Sequence, residues 1–114
     1  MVYLMFSGWV PPEKGRAFGK AVLEGIKKYP ADESVLKTVI QAVTTDDYGI
    51  KAFSIGEVMK GQMSKAMARS SELAIFYADS IGPGFKYKIE TLMSAVEAMK
   101  VIGLDLPQDV PEIY

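Results

Sequence analysis

The chain contains no histidine, no cysteine and no asparagine in its 114 residues. Without histidine and cysteine it loses the side chains that titrate nearest neutrality, the thiol nucleophile, and nearly all of the usual ligands for zinc, haem, copper and iron–sulfur clusters. Proton transfer near pH 7 would fall to a carboxylate raised by burial or a lysine lowered by it. Nothing in the sequence marks such a residue, so the sequence implies no cofactor and no metal site. A disulfide framework is excluded with the cysteines.

An excess of either charge is also missing: 13 basic residues stand against 14 acidic ones, for a net charge of −1. That balance gives no electrostatic footprint for nucleic acid, and none is expected as a partner. Long hydrophobic runs are absent too. The nearly uncharged opening stretch Val2–Val10 is too short to span a bilayer, has no basic segment before it and runs into Pro11 and Pro12. It is expected to be neither an export signal nor an anchor, which makes a cytoplasmic protein without membrane contact the expectation. What is present is globular: 49% hydrophobic and 24% charged residues, the size of one domain over 1–114.

Val2–Val10 is apolar on both alternating faces except at Ser7, as suits a central strand covered on both sides. Pro12 then fits the first turn of a helix, where its missing N–H costs nothing. Phe18, Ala21, Val22, Gly25, Ile26 and Tyr29 follow at helical spacing up to Pro30. Val35–Thr45 is rich in β-branched residues and reads as a strand, with Leu36, Thr38, Ile40 and Ala42 on one side and Lys37, Val39, Gln41 and Val43 on the other. Turn residues from Thr45 to Gly49 lead into a second extended run, Ile50–Val58. The spacing predicts a second long helix from Gln62 to Ile81, stopped by Gly82, Pro83 and Gly84. Phe85–Glu90 alternates as an edge strand, with Phe85, Tyr87 and Ile89 facing in. A short helix is predicted over Leu92–Ile102, and Leu104–Tyr114, with three acids and two prolines, as an extended surface tail.

The order β-α-β-β-α-β is the ferredoxin-like arrangement of the α+β class, a four-stranded antiparallel sheet over about residues 2–91, with a C-terminal helix and tail over 92–114. Its first and third strands are central and carry few charges, whereas its edge strands carry interior lysines. Two helices cover one face of such a sheet. The other face must expose Tyr3, Met5 and Trp9, or their alternates Leu4 and Phe6, unless a second copy covers it. A homodimer, or a multiple of dimers, is therefore expected.

This element order and strand polarity resemble the dimeric α/β barrel superfamily, whose ferredoxin-like subunits pair sheet to sheet. The resemblance implies that fold and a homodimer; members include cofactor-independent monooxygenases, chlorite dismutase-like haem proteins, muconolactone isomerase-like enzymes and stress-induced barrel proteins. The missing histidine argues against the haem branch. Two functions are thus carried forward: a barrel protein that binds a small organic ligand or serves as an interaction module, and an oxygenase- or isomerase-like enzyme acting on a small apolar substrate. As a third, the tail from Leu104 serves as an arm over a neighbouring subunit.

Five residues are candidate ligand contacts. Trp9, the only tryptophan, either packs into a core or dimer seam or closes a pocket. Tyr3, Tyr77 and Tyr87 either sit at the edge of the core or bring their hydroxyls to the space between sheet and helices, where such folds often keep a cavity. Arg69, one of only two arginines, either forms a surface ion pair near Lys65 and Glu72 or anchors a carboxylate ligand. Arg16 is expected to pair with Glu13. Asp46 and Asp47 read as turn formers, since two adjacent carboxylates cannot supply the oxygens a Ca²⁺ or Mg²⁺ ion needs. Met59, Met63 and Met67 read as core filler, and Glu57 and Glu90 as the carboxylates to test first for acid–base work.

Overall fold

The structure, a computed structural model, describes residues 1–107. A strand β1 (Val2–Val10) leads through a single 3₁₀ turn at Pro12–Lys14 into helix α1 (Gly15–Lys28). Strands β2 (Leu36–Thr45) and β3 (Ile50–Val58) form a hairpin. Helix α2 (Met63–Ile81), strand β4 (Lys86–Met93) and helix α3 (Ala95–Val101) complete the order. The sheet runs β2-β3-β1-β4 with every neighbouring pair antiparallel. This is the ferredoxin-like fold expected from the sequence, with β1 and β3 central.

Two differences from the expected elements have local causes. Strand β4 runs on to Met93 because Leu92 and Met93 pair with Tyr3 and Val2 of β1. Helix α3 therefore starts only at Ala95, after Ser94 caps it by accepting the Glu97 amide at 3.2 Å. The second difference is a register shift in β2 between Thr38 and Ile40. The strict alternation expected for this strand breaks there, as a bulge requires. Leu36, Thr38, Gln41 and Val43 end up on the helix side, while Lys37, Ile40 and Ala42 lie on the other face.

The core sits between the helices and β1. Val10, Phe18, Ala21, Tyr77 and Ile81 are buried together, with Phe6, Leu73 and Phe85 packed against them. Phe18, Tyr77 and Phe85 meet edge to face at centroid distances of 5.7–6.0 Å, a geometry that aligns ring edges with ring faces. Gly8 is the gap in β1 into which these rings fit, since a Cβ there would lie 3.0 Å from Phe18 and 3.2 Å from Phe85. A second, smaller cluster of Leu4, Val35 and Ala66 closes the far end, with Met67 packed on it as core filler.

The opposite sheet face carries Tyr3, Met5, Ser7 and Trp9 on β1, and Lys51, Phe53, Ile55 and Glu57 opposite them on β3. No helix of the ferredoxin-like core lies on this side, and Tyr3, Met5, Trp9, Phe53 and Ile55 are only half-buried. Ser7 is the exception. It is 1% exposed, flanked across the strands by Phe53 and Lys88, and its hydroxyl has no hydrogen-bond partner.

A buried hydroxyl without a partner costs about 1–3 kcal/mol, whereas emptying an aromatic core site costs about 3–5 kcal/mol. Urea unfolding should therefore show Phe18→Ala less stable by about 3–5 kcal/mol. Ser7→Ala should be neutral or more stable, because it removes an unsatisfied group without opening a large cavity. A strongly destabilised Ser7→Ala protein would mean that the hydroxyl has a partner.

Candidate functional site

The helices α1 and α2 lean over β1 and leave part of β3 and the helix side of β2 uncovered. The space between is a cleft with two confluent lobes of about 220 and 240 Å³. Both lobes are lined by Phe6, Val22, Gln41, Ser54, Leu73 and Tyr77. The first continues to a mouth formed by Tyr29, Asp32 and Arg69. Each lobe by itself is smaller than the roughly 300–1,000 Å³ of a pocket for a drug-sized molecule.

Its walls follow from local sequence. On α1, Val22, Gly25 and Ile26 lie on or beside the helix's inner face. Gly25 keeps the wall low: a Cβ there would meet Leu73 at 3.2 Å and the Tyr77 ring at 3.3 Å. On α2, Ser70, Leu73 and Tyr77 recur at three- and four-residue intervals, and so share a face, with Arg69 four residues before Leu73 on the same side. The bulge in β2 turns Gln41 toward the helices, and Ser54 of β3 lies opposite it.

Tyr77 connects core and cleft. Its ring packs against Phe6, Phe18, Phe76 and Phe85, while its hydroxyl lies beside Gly25. Burial pushes that hydroxyl's pKa above 10, because a phenolate there would lose its hydration. At neutral pH Tyr77 is therefore a neutral donor and acceptor. Arg69 is half-buried at the mouth and donates from Nη2 to the Pro30 carbonyl, at the end of α1. Among the described residues it forms no ion pair, so the surface pair expected with Glu72 is not made. Nor is the pair expected between Arg16 and Glu13. Asp32 lies across the mouth, where its Oδ1 accepts the Ser34 amide at 3.1 Å and the Ser34 hydroxyl at 2.5 Å. These two bonds, with Arg69 and Lys65 nearby, hold its pKa below the ordinary carboxylate value.

The five candidate contacts are thus divided. Arg69 and Tyr77 line the cleft. Tyr3 does not reach the sheet–helix space: it stands on the opposite face, where its hydroxyl contacts the Met1 sulfur, because it alternates with Leu4, which the core claims. Tyr87 lies on the helix side but at the β4 end, stacked on Phe6 and Phe85 at 6.2 and 6.1 Å and half exposed. Trp9 belongs to the open face. Its indole N–H donates to Asp46 Oδ2 at 2.8 Å, and the Lys51 ammonium sits 5.2 Å from its ring. Asp46 also accepts the Tyr48 amide, so it acts as the turn former expected. The sequence pattern singles out neither Gln41 nor Ser54; for Gln41 the reason is the bulge, which periodicity alone does not reveal.

Glu57 and Glu90 lie on the open face opposite Tyr3 and Met5, away from the cleft. Glu90 is 3.6 Å from Lys88. Among the described residues no helix is long and apolar enough to cross a membrane. The outer tail, residues 108–114, lies outside the described residues.

No family model matches the chain, and no curated protein does. Two solved structures are similar in fold. One is a conserved protein from Methanosarcina mazei Go1, 13% identical, with a TM-score of 0.48 over 78% of this chain and 89% of that one. The other is described as a "putative antibiotic biosynthesis monooxygenase" from Caulobacter crescentus CB15, 16% identical, with a TM-score of 0.47 over 80% of this chain and 86% of that one. At this identity the likeness concerns the path of the chain and not the residues of a site.

Trp9 reports on its own contact. The Trp9 indole, then the Tyr48 and Gly49 amides, hold the Asp46 carboxyl below its ordinary value of 3.8. A lowered pKa stabilises the fold above the unfolded value, and that stabilisation is lost as pH falls through the folded value. Tryptophan fluorescence should therefore show an acid transition with its midpoint below 3.8. Asp46→Asn should abolish this transition, and a transition that persists would assign it to another group.

Proposed function

We propose that this protein is a homodimer that binds a small organic ligand in the cleft between α1, α2 and the β2–β3 hairpin. The observation that carries the ligand half is the placement of Tyr77 and Arg69. One offers a neutral hydroxyl inside an apolar cavity and the other a cation at its mouth, and this pairing of an apolar lining with few polar groups is how small-molecule sites fix orientation.

The dimer half is supported by the open sheet face. Met5, Trp9, Phe53 and Ile55 form its centre, and Lys37, Lys51, Lys86, Lys88, Glu57 and Glu90 stand around them. An apolar centre with a charged rim of both signs is the anatomy of a protein–protein interface. A second copy presents the same residues, so a two-fold pairing sets apolar centre on apolar centre.

Light scattering on the purified protein should give twice the 12.5 kDa subunit mass. Phe53→Glu, which places a carboxylate in the apolar centre, should give single subunits that remain folded. For the cleft, Ser54→Leu should fill part of the shared wall and weaken binding of any ligand retained on purification at least tenfold, with the dimer unaffected. A wild-type monomer would remove the dimer half, and unchanged binding in Ser54→Leu would remove the cleft.

A further inference from the structure

We propose that the cleft takes a small monocarboxylate, with its carboxylate on the Arg69 guanidinium at the mouth and its apolar body between Phe6, Val22, Leu73 and Tyr77. The inference rests on the reading of the cleft as a ligand site and adds the chemical class of the ligand.

Arg69 carries the argument. Its Nη2 bond to the Pro30 carbonyl ties α2 to the end of α1 and fixes the planar group at the mouth. A carbonyl does not neutralise a guanidinium. Among the described residues no carboxylate lies within ion-pair distance of Arg69, so its remaining N–H donors keep both charge and direction. Such a fork suits the two oxygens of a carboxylate, and holding it in advance lowers the entropy lost on binding.

Asp32 restricts the choice further. Its carboxylate is taken up by the Ser34 amide and hydroxyl, and it lies in the field of Arg69 and Lys65. Two cations against one carboxylate leave a net positive charge at the mouth, which disfavours a cationic ligand. A dianion would exceed that charge and meet Asp32. One negative charge therefore fits the mouth better than none, two or a positive one. Inward from the mouth, Phe6, Val22, Leu73 and Tyr77 line both lobes, and their apolar surface calls for an uncharged aliphatic or aromatic body.

Octanoate and octan-1-ol are suitable probes, since they share a chain and differ in charge. Titration calorimetry on the full chain should show octanoate binding about tenfold more tightly than octan-1-ol. Arg69→Gln should bring the two within about twofold, by weakening octanoate alone. Arg69→Lys, which keeps the charge but loses the fork, should fall between. The chain has only two arginines, so a nitrogen NMR spectrum of the side-chain Nε–H groups has two assignable signals, and octanoate should shift that of Arg69 and not that of Arg16. Equal affinities for the two probes, or tighter octanoate binding with no shift at Arg69, would overturn the carboxylate assignment and leave the cleft as a site. Failure of both probes to bind at millimolar concentration would overturn the assignment and the cleft reading together.

Discussion

Everything in this fold depends on β1 having two different faces, each needing cover. Leu4, Phe6, Gly8 and Val10 turn toward the helices and take the aromatic rings of Phe18, Tyr77 and Phe85. Tyr3, Met5, Ser7 and Trp9 turn the other way, beside Phe53 and Ile55 of β3. The first face is satisfied within the chain. The second holds large apolar side chains that are only half-buried, and in the proposed dimer their burial would be favourable by about 25 cal/mol per Å² of apolar surface removed from water.

The cleft is a consequence of how the first face is covered. Because Gly8 has no side chain, Phe18 of α1 and Phe85, just before β4, settle against β1, away from β2. Strand β2 pays for that bias: Gln41 and Val43 face the helices and remain exposed. Tyr77 then stands at the boundary, with its ring in the core and its hydroxyl in the cavity. In the proposed function, stability and ligand contact are thus coupled at one residue, so a substitution that removes the ring tests packing before it tests binding.

Much of this was legible in the sequence. The β-branched run in β2, the two apolar faces of β1 and the glycines after α2 were enough to place every strand and both long helices. The ferredoxin-like element order implies the sheet order, and the division of charge between central and edge strands agrees with it. The bulge at Val39 was not legible, because one extra residue in a strand leaves the composition unchanged while it reverses the faces beyond it. For that reason the sequence pattern does not mark Gln41 as a cleft residue. The tyrosines were equivalent in sequence, and only the strand parity at Tyr3 and the β4 position of Tyr87 separated them from Tyr77. Arg69 was legible as a carboxylate anchor only as one of two options, since its Pro30 partner lies 39 residues away.

The central claim is that the two faces of β1 have separate partners, helices on one side and a second copy on the other. Isotope-filtered NMR on a mixture of labelled and unlabelled chains tests it most directly, since it reports only contacts between copies. The account requires intermolecular contacts from the methyl groups of Met5 and Ile55 and from the Phe53 ring, and none from Phe6 or Val10. Contacts confined to other surfaces, or no intermolecular contacts at all in a sample that diffuses as a monomer, would contradict it.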